Sequence, residues 1–242
     1  MGDVFMSKKG RSFHMKRLAA PKAIPITDKK AHTWIMKAEP GPHSGLHSMS
    51  ITVFLRDILK VARTSADVKK VLSKRLVYVD GVSRVSEKFP IGFMDVVSFP
   101  SLEKYYRIVL DYKGRLVPIE ISKDEATRKI LKVTGKTTAP KGKIALSFHD
   151  GRYLLGDNNV HVGDSVIVGL PSGKQSGVLR LEKGARCLVR EGAHAVTIAK
   201  LDEFLNKKAG SAPEVRMSAK SGDFITVARY LFVVDETIKE SG

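Results

Sequence analysis

The stretch "ITVFLRDILKVARTSADVKKVLSKRLVYVDGVSRV", Ile51 to Val85, decides how the chain is organised. Ile51, Phe54, Leu55, Ile58, Leu59 and Ala62 recur at the spacing of an amphipathic helix, and Arg56, Lys60 and Arg63 fall on the opposite side. Thr64 or Ser65 can cap a second short helix in which Val68, Val71 and Leu72 face inward while Lys69, Lys70 and Lys74 face out. Two helices therefore share a basic rim. "LVYVDGVSRV" then reads as two strands hinged on Asp80-Gly81, a pair whose tolerance of positive φ suits a two-residue type I′ hairpin. One further run, Val96 to Phe99, closes a compact α+β unit over residues 50–100.

Residues 1–49 have a different texture. Lys8, Lys9, Arg11, Lys16, Arg17, Lys22, Lys29, Lys30 and Lys37 face only Asp3, Asp28 and Glu39, and prolines at 21, 25, 40 and 42 break any long helix. His14 and Trp34 stand among these cations, a mixture suited to phosphate pairing and base stacking on one surface. This segment reads as a basic arm that orders only on its partner. Its start lacks the continuous apolar core of a secretory signal.

Downstream of residue 100 the pattern is short strands and turns. "YYRIVL", "RLVPIEI", "KILKV", "KIALSF", "YLLG" and "DSVIVGLP" read as strands, with a short helix near Lys123 to Arg128. Ser172 to Gly177 looks like a linker, after which a last small β module runs to the end. The expected class is mainly β with a small α+β module. The modules are an arm (1–49), the helix-pair unit (50–100), a central β domain (101–174) and a small C-terminal barrel with its tail (175–242).

Composition narrows the chemistry. The 242 residues carry 42 Lys and Arg against 25 Asp and Glu, a net charge of +17, and the pI is near 9.9. Such a chain is drawn to polyanions, nucleic acid first. A single cysteine excludes an intrachain disulfide and suits a reducing compartment. No apolar run reaches membrane-spanning length, and no lipidation signal is present. Gly135-Lys136-Thr137 imitates the end of a phosphate-binding P-loop, but Ile130 stands where the first glycine is needed and a proline-glycine turn follows in place of a helix. The segment 133–143 is therefore read as a basic loop between strands, with Lys136, Lys141 and Lys143 on it. His149-Asp150 is turn chemistry, since no nucleophile or oxyanion donor accompanies it. The histidines lack the tight pairing of a zinc site, and no cofactor is expected.

The strings "LRDILKVA", "VKKVL", "LVYVDGV" and "KFPIGFMDVVSFP" together resemble the S-four-type RNA-binding module of the archaeal and eukaryotic S-four-e family of small-subunit ribosomal proteins. "KRLAAPK", "PGPH", "GKTT", "GKIALSFHDGR" and "GDFITVARYLFVV" agree in order, so the resemblance spans nearly the whole chain. It implies a barrel of the KOW type at the C-terminus, no catalysis, and a monomer seated in the cytoplasmic ribosome on small-subunit ribosomal RNA beside neighbouring ribosomal proteins. No membrane or small-molecule partner is implied. The expected RNA contacts are Lys8, Lys9, Arg11, His14, Lys16, Arg17, Lys22 and Trp34 of the arm, the helix-rim cations with Arg75, then Arg84, Lys88, the three loop lysines and Arg152. Two departures concern glycine: Arg75 stands at a helix end where the family has glycine, and Val196 and Ala199 replace later glycines of the KOW-like stretch, which puts that loop's RNA contact in doubt. The rival readings are an RNA-modifying enzyme, for which "KLD" at 200–202 is a poor catalytic string, and a free KOW-type nucleic-acid-binding factor.

Overall fold

The structure, a computed structural model, describes residues 14–156, 158–205, 213–219 and 222–235. Three five-stranded antiparallel sheets follow one another along the chain. The first has the order Val82–Ser83, Tyr78–Val79, Val96–Phe99, Lys104–Leu110 and Leu116–Glu120. The second runs Tyr153–Gly156, Ile144–Phe148, Arg128–Thr138, Ser165–Gly169 and Gln175–Leu179. The third runs Gly222–Val227, Glu214–Ala219, Ile198–Leu205, Arg186–Val189 and Leu231–Val233. The first sheet crosses residue 100, because Val96–Phe99 pairs in register with Lys104–Arg107.

The helix pair forms, with one change. Ser50 caps the first helix by accepting from the Val53 N–H, and Ile51–Val53 continues as a π-helical turn over Phe54–Ile58. The Leu59 N–H reaches back to the Phe54 carbonyl (2.9 Å), and Lys60 takes a left-handed φ of 55°, so the helix stops short of Ala62. A wider turn keeps the buried Phe54 and Leu55 facing the core, a shift that a 3.6-residue pattern cannot announce. The second helix, Ser65–Ser73, opens with the Thr64/Asp67 capping box and buries Val68 and Leu72.

At the hairpin, Asp80 and Gly81 both have positive φ (53° and 76°), as a type I′ turn requires. A Cβ at Gly81 would lie 2.7 Å from the Pro171 side chain, so the hairpin tip docks directly on the second sheet. Arg75 accepts the left-handed conformation (φ 54°) at the end of its helix despite its side chain.

Three expectations are corrected. Residues 14–49 are not a segment awaiting a partner. Met15–Lys16 pairs with Trp34–Ile35, and Ala23, Ile24, Ile26 and Ile35 lie in the main core. The Leu116 N–H also bonds the Ala23 carbonyl (2.8 Å). These scattered apolar residues have no periodicity of their own because they fill gaps in a core built by other elements. Gly135–Thr138 belongs to the long strand Arg128–Thr138, bulged between Val133 and Gly135, so the loop proper is only 139–143. Ser172–Gly177 is no linker: it turns Ser165–Gly169 into Gln175–Leu179, with Gly173 at φ 71°.

What seats the first two sheets on each other is a buried ionic cluster. The Lys129 ammonium, fully enclosed, donates to Asp80 (2.7 Å), Asp95 (2.6 Å) and Asp150 (3.2 Å). Arg152 bonds Asp80 (2.6 Å) and Asp150 (3.0 Å), and the His43 ring of the N-terminal segment lies 2.9 Å from Asp95. The backbone N–H groups of Gly92 and Val96 complete the coordination of Asp95 and Asp80. Burial alone opposes charge on Lys129, but the three carboxylates outweigh it and hold its pKa above the ordinary lysine value. Burial likewise opposes charge on Asp95, yet Lys129 and His43 hold its carboxyl well below the usual range. Burial, with Asp95 alongside, raises Asp80.

Beside the cluster, His149 accepts from the Lys132 N–H through Nδ1 (3.2 Å), which leaves Nε2 as the protonated nitrogen facing the Phe93 carbonyl (3.4 Å). That neutral state fits its pKa, lowered to about 3 by burial and then by the Lys129 charge.

Lys129→Met is expected to destabilise the chain by about 3–5 kcal/mol, because it takes the one fully enclosed cation from three buried carboxylates and leaves only Arg152 and His43 to offset them; urea unfolding measures it. Arg75→Gly is expected to stabilise by about 0.5–1 kcal/mol, since glycine takes positive φ without strain and the exposed Arg75 has no ion pair to lose. His149 binds a proton less readily folded than unfolded, so its contribution is complete above pH 6.5 and is lost as pH falls towards about 3. Unfolding free energy should therefore decline across that window, and His149→Asn should make the decline shallower.

Candidate nucleic-acid interface

Exposed cations concentrate where the two helices meet. Lys60, Arg63, Lys69, Lys70, Lys74 and Arg75 are all exposed, with Asp67 the single acid in the same stretch. None of the six is held in an ion pair to a side chain among the described residues, although Lys70 and Arg63 help to lower the pKa of Asp67 behind its Thr64 hydrogen bonds. Lys69 and Lys70 stand on the helix whose inward face is fixed by the buried Val68 and Leu72, and the other four flank its two ends. Lys16, Lys22 and Trp34 add two cations and an indole from the N-terminal segment, all exposed. The His14 ring lies edge-on to Trp34, with centroids 6.0 Å apart. Lys143 is exposed at the end of the 139–143 turn.

Other candidates have internal partners. Arg17 is buried, donates to the Asp28 carbonyl (2.8 Å) and faces Asp57 (3.6 Å). Arg56 pairs with Asp57 (2.9 Å) and donates to the Ser65 hydroxyl (3.1 Å), so it staples the two helices together. Lys136 donates to Asn158 Oδ1 (3.0 Å) and the Val160 carbonyl (3.1 Å) and holds the facing loop. Arg152 belongs to the buried cluster. The Arg84 guanidinium lies over Phe89 at 4.3 Å, and both Arg84 and Lys88 are half-buried. A cation that satisfies a buried carboxylate or carbonyl has little of its field left for solvent, and a linear sequence cannot separate such cations from free ones. Lys8, Lys9 and Arg11, together with the Lys141 side chain, lie outside the described residues.

Sequence reasoning missed two basic features. Tyr112 and Lys113, both exposed, sit at the turn between Lys104–Leu110 and Leu116–Glu120 with the ammonium 5.0 Å from the ring centre. Lys132 donates to the carbonyls of Arg229 (2.7 Å) and Leu231 (2.6 Å) and so ties the second sheet to the third. Burial and then Arg190 lower its pKa to about 8.

The C-terminal sheet contributes little charge. Residues 175–242 carry eleven Lys and Arg against nine Asp and Glu, so most of the +17 belongs to residues 1–174. Val196 nevertheless keeps a glycine-like φ of 71° with its side chain buried, while Ala199 sits in a regular strand opposite Cys187. The loop backbone thus keeps its turn without those glycines. Burial pushes the Cys187 thiol up to about 12, which makes it an inert core group. Among the described residues no cluster of three or more His, Cys, Asp or Glu is arranged to hold a metal, and no helix is long and apolar enough to cross a membrane.

Known proteins agree with this architecture. Residues 9–45 match the RS4NT (NUC023) domain, and residues 102–175 match Ribosomal family S4e. The small ribosomal subunit protein eS4 of Methanosphaera stadtmanae is 39% identical over 231 residues, covering 96% of this chain and 95% of its own. That of Halobacterium salinarum is 37% identical over 229 residues, covering 94% and 97%. The crystal structure of the 30S ribosomal protein S4e from Thermoplasma acidophilum superposes with a TM-score of 0.67 at 30% identity, over 79% of this chain and 96% of that one. On this identity, carried through nearly the full length of its relatives, the chain belongs to the S4e family of small-subunit ribosomal proteins.

Proposed function

We propose that this chain is a structural constituent of the small ribosomal subunit in the cytoplasm, binding ribosomal RNA and neighbouring ribosomal proteins without catalysing a reaction. The observation that carries the reading is the exposed basic rim from Lys60 to Arg75 at the helix pair, without side-chain ion pairs among the described residues. Fixed cations on a folded base neutralise phosphates and release counterions while losing little side-chain freedom, which positions folded RNA without reading its sequence.

The RNA-facing residues we infer are the rim, together with Lys16, Lys22, Trp34 and Lys143. Lys8, Lys9, Arg11, His14 and Lys141 belong to the same proposal by position and charge. Arg17, Arg56, Lys136 and Arg152 act behind it, by shaping the surface. As functional modules we propose the N-terminal segment (1–49), the helix-pair unit (50–100), the central β domain (101–174) and the C-terminal barrel (175–242), with the first sheet carried across residue 100 and the second sheet's last strand across residue 174; the last module faces protein more than RNA because its charge is nearly balanced.

Salt dependence of binding to a small-subunit ribosomal RNA transcript separates the two groups. Replacing Lys60, Lys69, Lys70 and Lys74 by Gln should flatten the slope of log affinity against log salt by roughly 0.7–0.9 for each phosphate that is no longer neutralised. Arg17→Gln should instead lower thermal stability and leave the slope in place. An unchanged slope in the fourfold variant would refute the assignment of the rim.

A further inference from the structure

A cavity of about 320 Å³ opens where the N-terminal segment, the first sheet, the second sheet and the third sheet converge. No residue of the proposed phosphate-binding rim lines it. Its floor is aromatic: Phe93, His43 and His149 pack at tilted angles, with ring centroids 6.1–6.3 Å apart from His43 to His149 and from His149 to Phe93. Small apolar side chains, among them Ala23 and Ala195, form the walls.

The mouth is polar and carries both signs. Arg190 donates to Glu191 Oε1 (2.8 Å), and His47 stands 3.9 Å from the same oxygen. Burial works against charge on Glu191, but Arg190 and His47 outweigh it and keep the carboxyl below its ordinary value, so it is an ionised acceptor at neutral pH. Ser44, exposed to solvent, also lines the cavity.

We propose that this cavity receives one unstacked nucleobase, guanine by preference, from the RNA to which the chain binds. The proposal rests on the RNA-binding reading above and names a second kind of contact within it. The volume and the aromatic and apolar lining suit a nucleobase, whose faces are apolar and whose edge is polar. The carboxylate at the mouth selects for a ring edge with adjacent N–H donors, and guanine presents N1–H and N2–H in parallel. Glu191 offsets the Arg190 charge beside it, so the mouth offers a phosphate little net attraction and the cavity is not one more anion site. Arg190 and His47 remain to donate to the ring carbonyl. Exposed Lys22 and Lys113 directly adjoin the lining residues Ala23 and Gly114 in sequence and bring positive charge to the strand that delivers the base.

The test uses the full chain. Ser44→Phe fills the mouth without changing charge, and Glu191→Gln removes the selecting carboxylate; thermal melts confirm that each folds. Affinity for a small-subunit ribosomal RNA transcript is measured across a salt series, and histidine ring NMR signals are followed on addition of millimolar GMP, AMP, CMP or UMP. We expect Ser44→Phe to weaken RNA binding at least about fivefold at every salt concentration with an unchanged salt slope, because stacking and edge contacts release no counterions. GMP should shift the His43, His47 and His149 signals more than the other nucleotides do, and Glu191→Gln should erase that preference.

Unchanged RNA affinity in both variants overturns the proposal. If GMP still binds the wild-type cavity in that case, the occupant is a free nucleotide and not an RNA base. Absence of any salt slope in the wild-type chain would instead strike at the RNA-binding reading itself, which keeps the two failures distinct.

Discussion

One lysine amine among three carboxylates governs how this molecule is put together. Lys129 leaves water entirely to meet Asp80 and Asp95 from the first sheet and Asp150 from its own. Desolvating four charges is costly, and such a cluster adds little net stability compared with a well-packed apolar core. Its effect is geometric. Once buried, each charge can be satisfied in only one arrangement of the hairpin at Asp80-Gly81, the strand after Asp95 and the turn at Asp150. His43, reaching in from the N-terminal segment to Asp95, extends the constraint to a third part of the chain, and a Cβ at Gly92 would lie 2.3 Å from its ring.

Rigidity of this kind suits a protein that works by presenting charge. The rim from Lys60 to Arg75 keeps its shape because the helices beneath it are fastened by Arg56 to Ser65 and by Arg17 to Asp57, and because the hairpin that follows is fixed by the ionic cluster. The positive charges therefore divide into two populations: those satisfied internally, which make the shape, and those left for solvent, which make the surface. Lys132, bonded to two carbonyls of the third sheet, belongs to the first population and carries the same logic to the C-terminal end.

Much of this was legible in the linear sequence, for definite reasons. The helix pair announced itself through apolar spacing, the hairpin through Asp-Gly and the second cap through the choice of Thr64 or Ser65, all of them local signals. The π-helical turn was not legible, since it depends on where Phe54 and Leu55 must point in a finished core. Nor was the packing of Ile24, Ile26 and Ile35, which form no periodic pattern and join a core assembled from distant strands. The ionic cluster was the least visible of all. Asp80 looked like a turn residue and Asp150 like another, and Lys129 drew no notice within a strand, because burial is a property of the assembled sheets. For the same reason charge alone did not distinguish Arg17 and Arg56, which have internal partners, from the exposed Lys69 and Lys70.

Native-state hydrogen exchange tests most directly whether the cluster joins the first two sheets into one cooperative unit. The amides of Val96 and Met94 on one side of Lys129, and of Leu131 and Val166 on the other, should exchange through one shared opening with the same free energy and the same denaturant dependence. Two separate openings, with the first sheet exchanging while the second stays protected, would contradict the account.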